Sequence, residues 1–184
     1  MSDRRTGNQN PDSPNVKGDL GEKLTCIWKG VDNLNEINDD YHSPIDHSPD
    51  PITRIIYQTK ISWYKSTYKY WKNCLERELH KEFDQLIFYC ISKDGKIVER
   101  IYIFPKNEII KRTGISIYKN PTDCSGDPII PWYEKYRIID EKIINEINEI
   151  WKKIITKKAR NKKSVKSVNN NSLSDNQGTN HISS

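Results

Sequence analysis

The stretch "DQLIFYCISKDGKIVERIYIF", residues 84–104, constrains the fold more than any other part of this 184-residue chain. Two runs rich in β-branched and aromatic residues flank Lys93-Asp94-Gly95-Lys96, and Asp94-Gly95 supplies the tight turn of a β-hairpin. Pro105 closes the second strand because it has no N–H for a ladder. Near the other end, Ile143, Ile144, Ile147, Ile150, Trp151, Ile154 and Ile155 recur at helical spacing after Asp140, which can cap the helix. A chain with both signals must pack a sheet against helices.

The remaining segments fit that plan. "GDLGEKLTCIWKGV" repeats Leu20, Leu24, Ile27, Trp28 and Val31 at helical spacing, with Asp19 as its cap and Gly30 near its end. "IDHSPDPITRIIYQTKISWY" reads as a second hairpin, with Pro49, Asp50, Pro51 and Thr53 as turn residues between Ile45-Asp46 and the strand ending "RIIYQTKISWY". On that strand Ile56, Gln58, Lys60 and Ser62 share one face, and Tyr57, Thr59 and Ile61 share the other. Residues 63–83 are aromatic and basic at first and helical toward the end. "NEIIKRTG" predicts one helical turn and "ISIYKN" a short strand. The expected fold class is α/β or α+β, a mixed central sheet flanked by helices.

Polar ends bracket this core. Residues 1–16 and 157–184 have little to bury and are expected to be disordered, leaving a domain over 17–156. The formal charge of +5 lies wholly in the last segment, which carries six Lys or Arg and one acid. The body is neutral, so global charge cannot identify a partner and a local patch must. No run approaches the roughly 20 apolar residues of a membrane span, and "MSDRRTGNQNPDSPN" lacks a signal-peptide core. The reading is a soluble intracellular protein, cytoplasmic or nucleoid-associated, or nuclear or organellar in a eukaryotic host. Cys26, Cys74, Cys90 and Cys124 form no CxxC pair and are expected as buried free thiols. The four histidines show no ligand spacing.

Asp46, Gln58 and Lys60 bring a carboxylate, an amide and an ammonium onto one short stretch. Taken singly, each has an ordinary role: Asp46 as a turn residue, Gln58 and Lys60 as surface strand residues, Glu22 as a first-turn acid favoured by the helix dipole. In the order "GEK" (Glu22), "SPIDH" (Asp46) and "YQTK" (Gln58, Lys60), they resemble the PD-(D/E)xK nuclease superfamily. The likeness is to the homing-type branch encoded within group I introns, in which QxK replaces ExK. It spans roughly residues 18–155, including "ERELHKEFDQLIFYCISKDGKIVERIYIFPKNEI" and "WYEKYRI".

The resemblance implies a restriction-endonuclease-like fold and a DNA endonuclease using Mg²⁺ or Mn²⁺, of homing or restriction character. It implies metal donors in Asp46, Gln58, the Thr59 backbone carbonyl and Glu22, with Lys60 acting on the water and the phosphate. Hard oxygen donors suit such a cation, which lowers the pKa of bound water and neutralises developing charge. Gln58 keeps an oxygen but gives up a charge, so the metal is expected to bind more weakly than at an ExK site. "KISWYKSTYKYWK" interleaves Lys60, Lys65, Lys69, Lys72 and, after a gap, Lys81 with Trp63, Tyr64, Tyr68, Tyr70 and Trp71; the lysines can face phosphates, and the expected contacts with double-stranded DNA are Lys65, Lys69 and Lys72. At least half of those aromatics are expected in the core. The alternatives are a catalytically inactive DNA-binding module of the same fold and a protein-interaction domain. A homo-oligomer is left open.

Overall fold

The computed structural model describes residues 14–37, 45–75 and 81–171, with side chains over 16–37, 45–75 and 81–157. The expectations for residues 1–13 and 172–184, and for the helical end of residues 63–83 at 76–80, lie outside them. The elements are α1 (Pro14–Lys29), α2 (Leu34–Ile37), β1 (Tyr57–Trp63), β2 (Tyr70–Cys74), β3 (Gln85–Ile91), β4 (Val98–Pro105), α3 (Lys106–Ile109), β5 (Gly114–Tyr118), a 3₁₀ turn (Glu134–Tyr136) and α4 (Glu141–Asn171). The class is mixed α+β, as the two periodicities predicted.

The main sheet has the order β1-β3-β4, with β1 parallel and β4 antiparallel to β3. β3 is central because both of its faces are apolar. Ile87, Tyr89 and Ile91 join Leu24, Ile61, Ile147 and Trp151 beneath α1 and α4. Leu86, Phe88 and Cys90 join Trp71, Ile115, Ile117, Tyr102 and Phe104 on the opposite side. That opposite side is covered by a separate two-stranded ribbon of β2 and β5, with Ile109 of α3 and Tyr133 beside it.

The 84–104 hairpin forms as expected, with Gly95 at φ 77° in its turn, a conformation that a side chain disfavours. Trp151 of α4 is fully buried and satisfies its indole N–H on the Gly95 carbonyl at 3.0 Å. Asp140 caps α4 by accepting from the Lys142 N–H at 2.8 Å. Gly30 ends α1 at φ 65°.

Four expectations are corrected. Ile45-Asp46 is not the first strand of a hairpin. His47 makes only an isolated bridge to Asn33, and β1 pairs with β3 instead. Between them Asp50 accepts from the N–H groups of Ile52 (2.9 Å) and Thr53 (2.7 Å), a side-chain turn, and Pro49 and Pro51 have no N–H for a ladder. Second, residues 70–74 form β2 within the stretch read as aromatic, basic and helical. Third, the two outer helices are longer than read: α1 begins at Pro14 and not near Asp19, and α4 runs past Thr156 to Asn171. Fourth, all four cysteines are free, but Cys74 and Cys124 are exposed and only Cys90 is fully buried.

Candidate functional site

Gly21 sets how closely α1 approaches β1. A Cβ there would lie 3.1 Å from Ile61 Cβ and Cγ2 and 3.2 Å from Thr59 Cγ2, tighter than ordinary packing. The missing side chain lets the helix settle on the strand and brings Glu22, the next residue, to the edge of β1. From the other direction, residues 45–48 run beside residues 32–35. The Leu34 N–H donates to the Asp46 carbonyl at 2.9 Å, and the Ser48 N–H donates to the Asp32 carbonyl at 2.9 Å. Asn33 links the two sides. Its oxygen accepts from the Asn35 N–H at 3.0 Å while its amide donates to Glu22 Oε2 at 3.1 Å.

These supports gather Glu22, Asp46 and Gln58 into one polar cluster. Asp46 and Gln58 are each only 2% exposed, and the Gln58 side chain hydrogen-bonds to the Asp46 carboxylate. Asn35 Nδ2 donates to Asp46 Oδ1 at 3.0 Å. The ammonium that meets Asp46 comes from Lys81, at 2.7 Å from Oδ1 and 2.9 Å from Oδ2. Lys60 stands half-buried two residues beyond Gln58 on the same strand face. Thr59 turns its side chain to the other face, where Oγ1 lies 2.7 Å from Thr25 Oγ1 and 3.0 Å from His47 Nε2. Thr25 in turn reaches the Tyr89 hydroxyl at 3.1 Å.

The electrostatics follow from this packing. Burial pushes the Asp46 carboxyl up, but hydrogen bonds from Lys81, Asn35 and Gln58, with the Lys81 charge, leave it below its usual range. Glu22 is raised, first by burial and then by the Asp46 charge, with the Asn33 hydrogen bond opposing. Burial lowers His47 to about 4, so its fully buried ring is neutral near pH 7.

Among the described residues no group of three or more His, Cys, Asp or Glu side chains could hold a metal ion. Glu22 and Asp46 are near enough for the Asp46 charge to act on Glu22, and the Gln58 amide adjoins Asp46. Asn35 Oδ1 is buried with no hydrogen-bond partner beside them, an oxygen still owed a cation or a water. All these donors are hard oxygens. Mg²⁺ is commonly held by one or two carboxylates plus waters and phosphate, so the set fits such an ion.

Lys81 is the residue that sequence reasoning placed only among the phosphate-facing lysines. It lies 35 positions from Asp46, and no motif spacing joins them. Asn33 and Asn35 stand in the polar stretch "DNLNEINDDYHSP", which carries no motif that would single them out. The other expected DNA contacts, Lys65, Lys69 and Lys72, are exposed on β2 and the turn before it.

No protein-family model and no curated protein matches the chain. Among solved structures it is similar to the bacterial homing endonuclease I-Ssp6803I, at 21% identity and a TM-score of 0.49, over 73% of this chain and 93% of that one.

Proposed function

We propose that the chain is a divalent-metal-dependent endonuclease that hydrolyses phosphodiester bonds in double-stranded DNA, of homing or restriction character. The observation that carries this reading is the convergence of Glu22, Asp46 and Gln58 at the edge of β1, beside two lysines. Asp46 and Glu22 would hold Mg²⁺ or Mn²⁺ together with the carbonyl oxygens of Gln58 and Thr59. When bound, such an ion lowers the pKa of a coordinated water and offsets the charge that builds on the phosphate. Gln58 donates its N–H to Asp46, which leaves its carbonyl as the donor toward a cation. Lys60, on the same face, orients the water and the phosphate. Lys81 holds the Asp46 carboxylate ionised and aligned. Lys65, Lys69 and Lys72 neutralise flanking phosphates.

The domain assigned this activity spans 17–156, in an intracellular setting. No helix among the described residues is long and apolar enough to cross a membrane. A second reading, a DNA-binding module that does not cut, is favoured by one observation: Lys81 occupies both oxygens of Asp46.

Calorimetric titration with Mg²⁺ separates the two. The endonuclease reading expects saturable binding by wild type, loss of it in Asp46→Ala, and tighter binding in Gln58→Glu, which adds a carboxylate. Equal Mg²⁺ affinity in wild type and Gln58→Glu removes Gln58 from the site, and no binding by wild type favours the non-cutting module.

A further inference from the structure

The β2–β5 ribbon has two unlike faces. Trp71, Ile115 and Ile117 are buried against the main sheet at 0%, 1% and 0% exposure, so they are unavailable to any ligand. The outward face carries three cross-strand tiers, Tyr70 with Tyr118, Lys72 with Ser116, and Cys74 with Gly114. At its tip a four-residue turn, Ser66 to Lys69, lies between Lys65 and Tyr70 and is closed by the Lys65 N–H on the Tyr70 carbonyl at 3.0 Å. Tyr68 is 60% exposed and stacks on Tyr70 at 5.4 Å between ring centres. Tyr70 meets Tyr118 edge-on at 5.5 Å.

Charge distinguishes this surface from the neutral body. Residues 64–75 and 111–120, which hold the ribbon, its tip and its approach, contain Lys65, Lys69, Lys72, Lys111, Arg112 and Lys119 and no Asp or Glu. Among the described residues, only Lys119 of these has a carboxylate partner close by, Glu99 at 2.7 Å. A narrow, twisted, cationic ribbon with hydroxyls and an ammonium along its crest matches the major groove of B-DNA. That groove is about 12 Å wide, admits a two-stranded ribbon, and displays base acceptors to such donors. Five residues per strand extend about 17 Å, the length of roughly five base pairs.

The ribbon is also fixed to the strand that bears Gln58 and Lys60. Ser62 Oγ donates to the Lys72 carbonyl at 3.0 Å and accepts from the Lys72 N–H at 3.1 Å, while Asn73 Nδ2 donates to the Ile61 carbonyl at 3.1 Å. Ser62 lies about 13 Å along β1 from Gln58 and on the same face. A duplex seated on the crest therefore passes the cluster at a set distance.

We infer that the β2–β5 ribbon enters the DNA major groove, with Lys72 and Ser116 reading base edges and Lys65 and Lys69 holding the flanking phosphates. The inference rests on the DNA-binding half of the reading above and is independent of cleavage.

The test uses the full chain in EDTA, so that binding is scored without cutting. A preferred sequence is first selected from a randomised duplex pool. Affinity is then followed by fluorescence anisotropy across a salt series. Lys65→Ala/Lys69→Ala is expected to weaken binding to all duplexes alike and to reduce the slope of log affinity on log salt by about 1.8. Lys72→Ala/Ser116→Ala is expected to lose about tenfold or more on the preferred sequence while random DNA changes little. Methylation of guanine N7, which lies in the major groove, is expected to block binding. Circular dichroism checks that each variant is folded, and Lys142→Ala/Lys152→Ala on the exposed side of α4 serves as the charge-matched control. Wild-type affinity and slope in both ribbon variants overturn the inference, as does binding indifferent to N7 methylation or the absence of any preferred sequence. Binding through the ribbon without cleavage in Mg²⁺ supports it and sinks only the endonuclease reading.

Discussion

Replacing Lys81 by methionine keeps most of the side-chain bulk and removes the charge that faces Asp46. Asp46 is 2% exposed and Lys81 is 23% exposed. Breaking a fully buried pair costs about 3–5 kcal/mol. Two features reduce that figure here: Lys81 reaches solvent, and Asp46 keeps its hydrogen bonds from Asn35 and Gln58. The expected loss at pH 7 is about 2–3 kcal/mol, or roughly 5–10 °C in Tm for a chain of this size. The sign with pH is fixed by the lowered pKa of Asp46. Stability from that shift is present above the unfolded carboxyl value and is lost as pH falls through the folded one. The penalty of Lys81→Met should therefore shrink as the pH drops below about 4. Urea denaturation of both proteins at pH 7 and pH 3.5 measures this, with Asp46→Asn and the double variant completing a cycle. A loss under about 0.5 kcal/mol at pH 7, or one unchanged in acid, would refute the claim that Lys81 neutralises a buried carboxylate.

Other outcomes follow from neighbouring groups. His47 is neutral when folded and lowered to about 4, so its contribution is present above its ordinary pKa near 6.5 and is lost as pH falls toward 4. That amounts to about 3 kcal/mol over the window, and denaturation midpoints at pH 7, 5.5 and 4.5 should fall in wild type but less in His47→Asn. Glu22 acts in the opposite sense, since its raised pKa disfavours the ionised form as pH rises, so only the difference between the two proteins isolates His47. Gly21→Ala gains helix propensity but forces α1 off Ile61 and Thr59. The net expectation is a loss of about 1 kcal/mol, read by thermal denaturation. Deleting residues 157–184 should leave Tm within about 2 °C, because the last α4 residue packed on the core among the described side chains is Ile155 and the deleted sequence is mostly polar, and should flatten the salt dependence of DNA binding.

The two elements with strong periodicity were legible in the sequence. Asp94-Gly95 between two β-rich runs has few alternatives to a hairpin, and seven apolar residues on one side of 143–155 have few alternatives to a packed helix. The parallel pairing of β1 with β3 was not legible, because it leaves no turn between the strands to read. β2 was hidden by composition. Tyr70, Lys72 and Cys74 face out while Trp71 and Leu75 face in, yet the lysines and aromatics drew attention as a surface feature before the alternation did. At the site, the order of Glu22, Asp46 and Gln58 was readable only through resemblance to a family. Lys81, Asn33 and Asn35 were not singled out as partners of Glu22 and Asp46, since a buried ion pair between distant segments has no spacing of its own.

The central claim is that the Glu22–Asp46–Gln58 cluster with Lys60 cuts DNA, and cleavage of supercoiled plasmid by purified full-length protein tests it most directly. Conversion to nicked or linear form should occur with Mg²⁺ or Mn²⁺ and stop in EDTA. It should be absent in Asp46→Ala and Lys60→Ala, although both still bind duplex DNA. Intact plasmid with either metal across many substrates, or cleavage that survives in Asp46→Ala, would contradict the account.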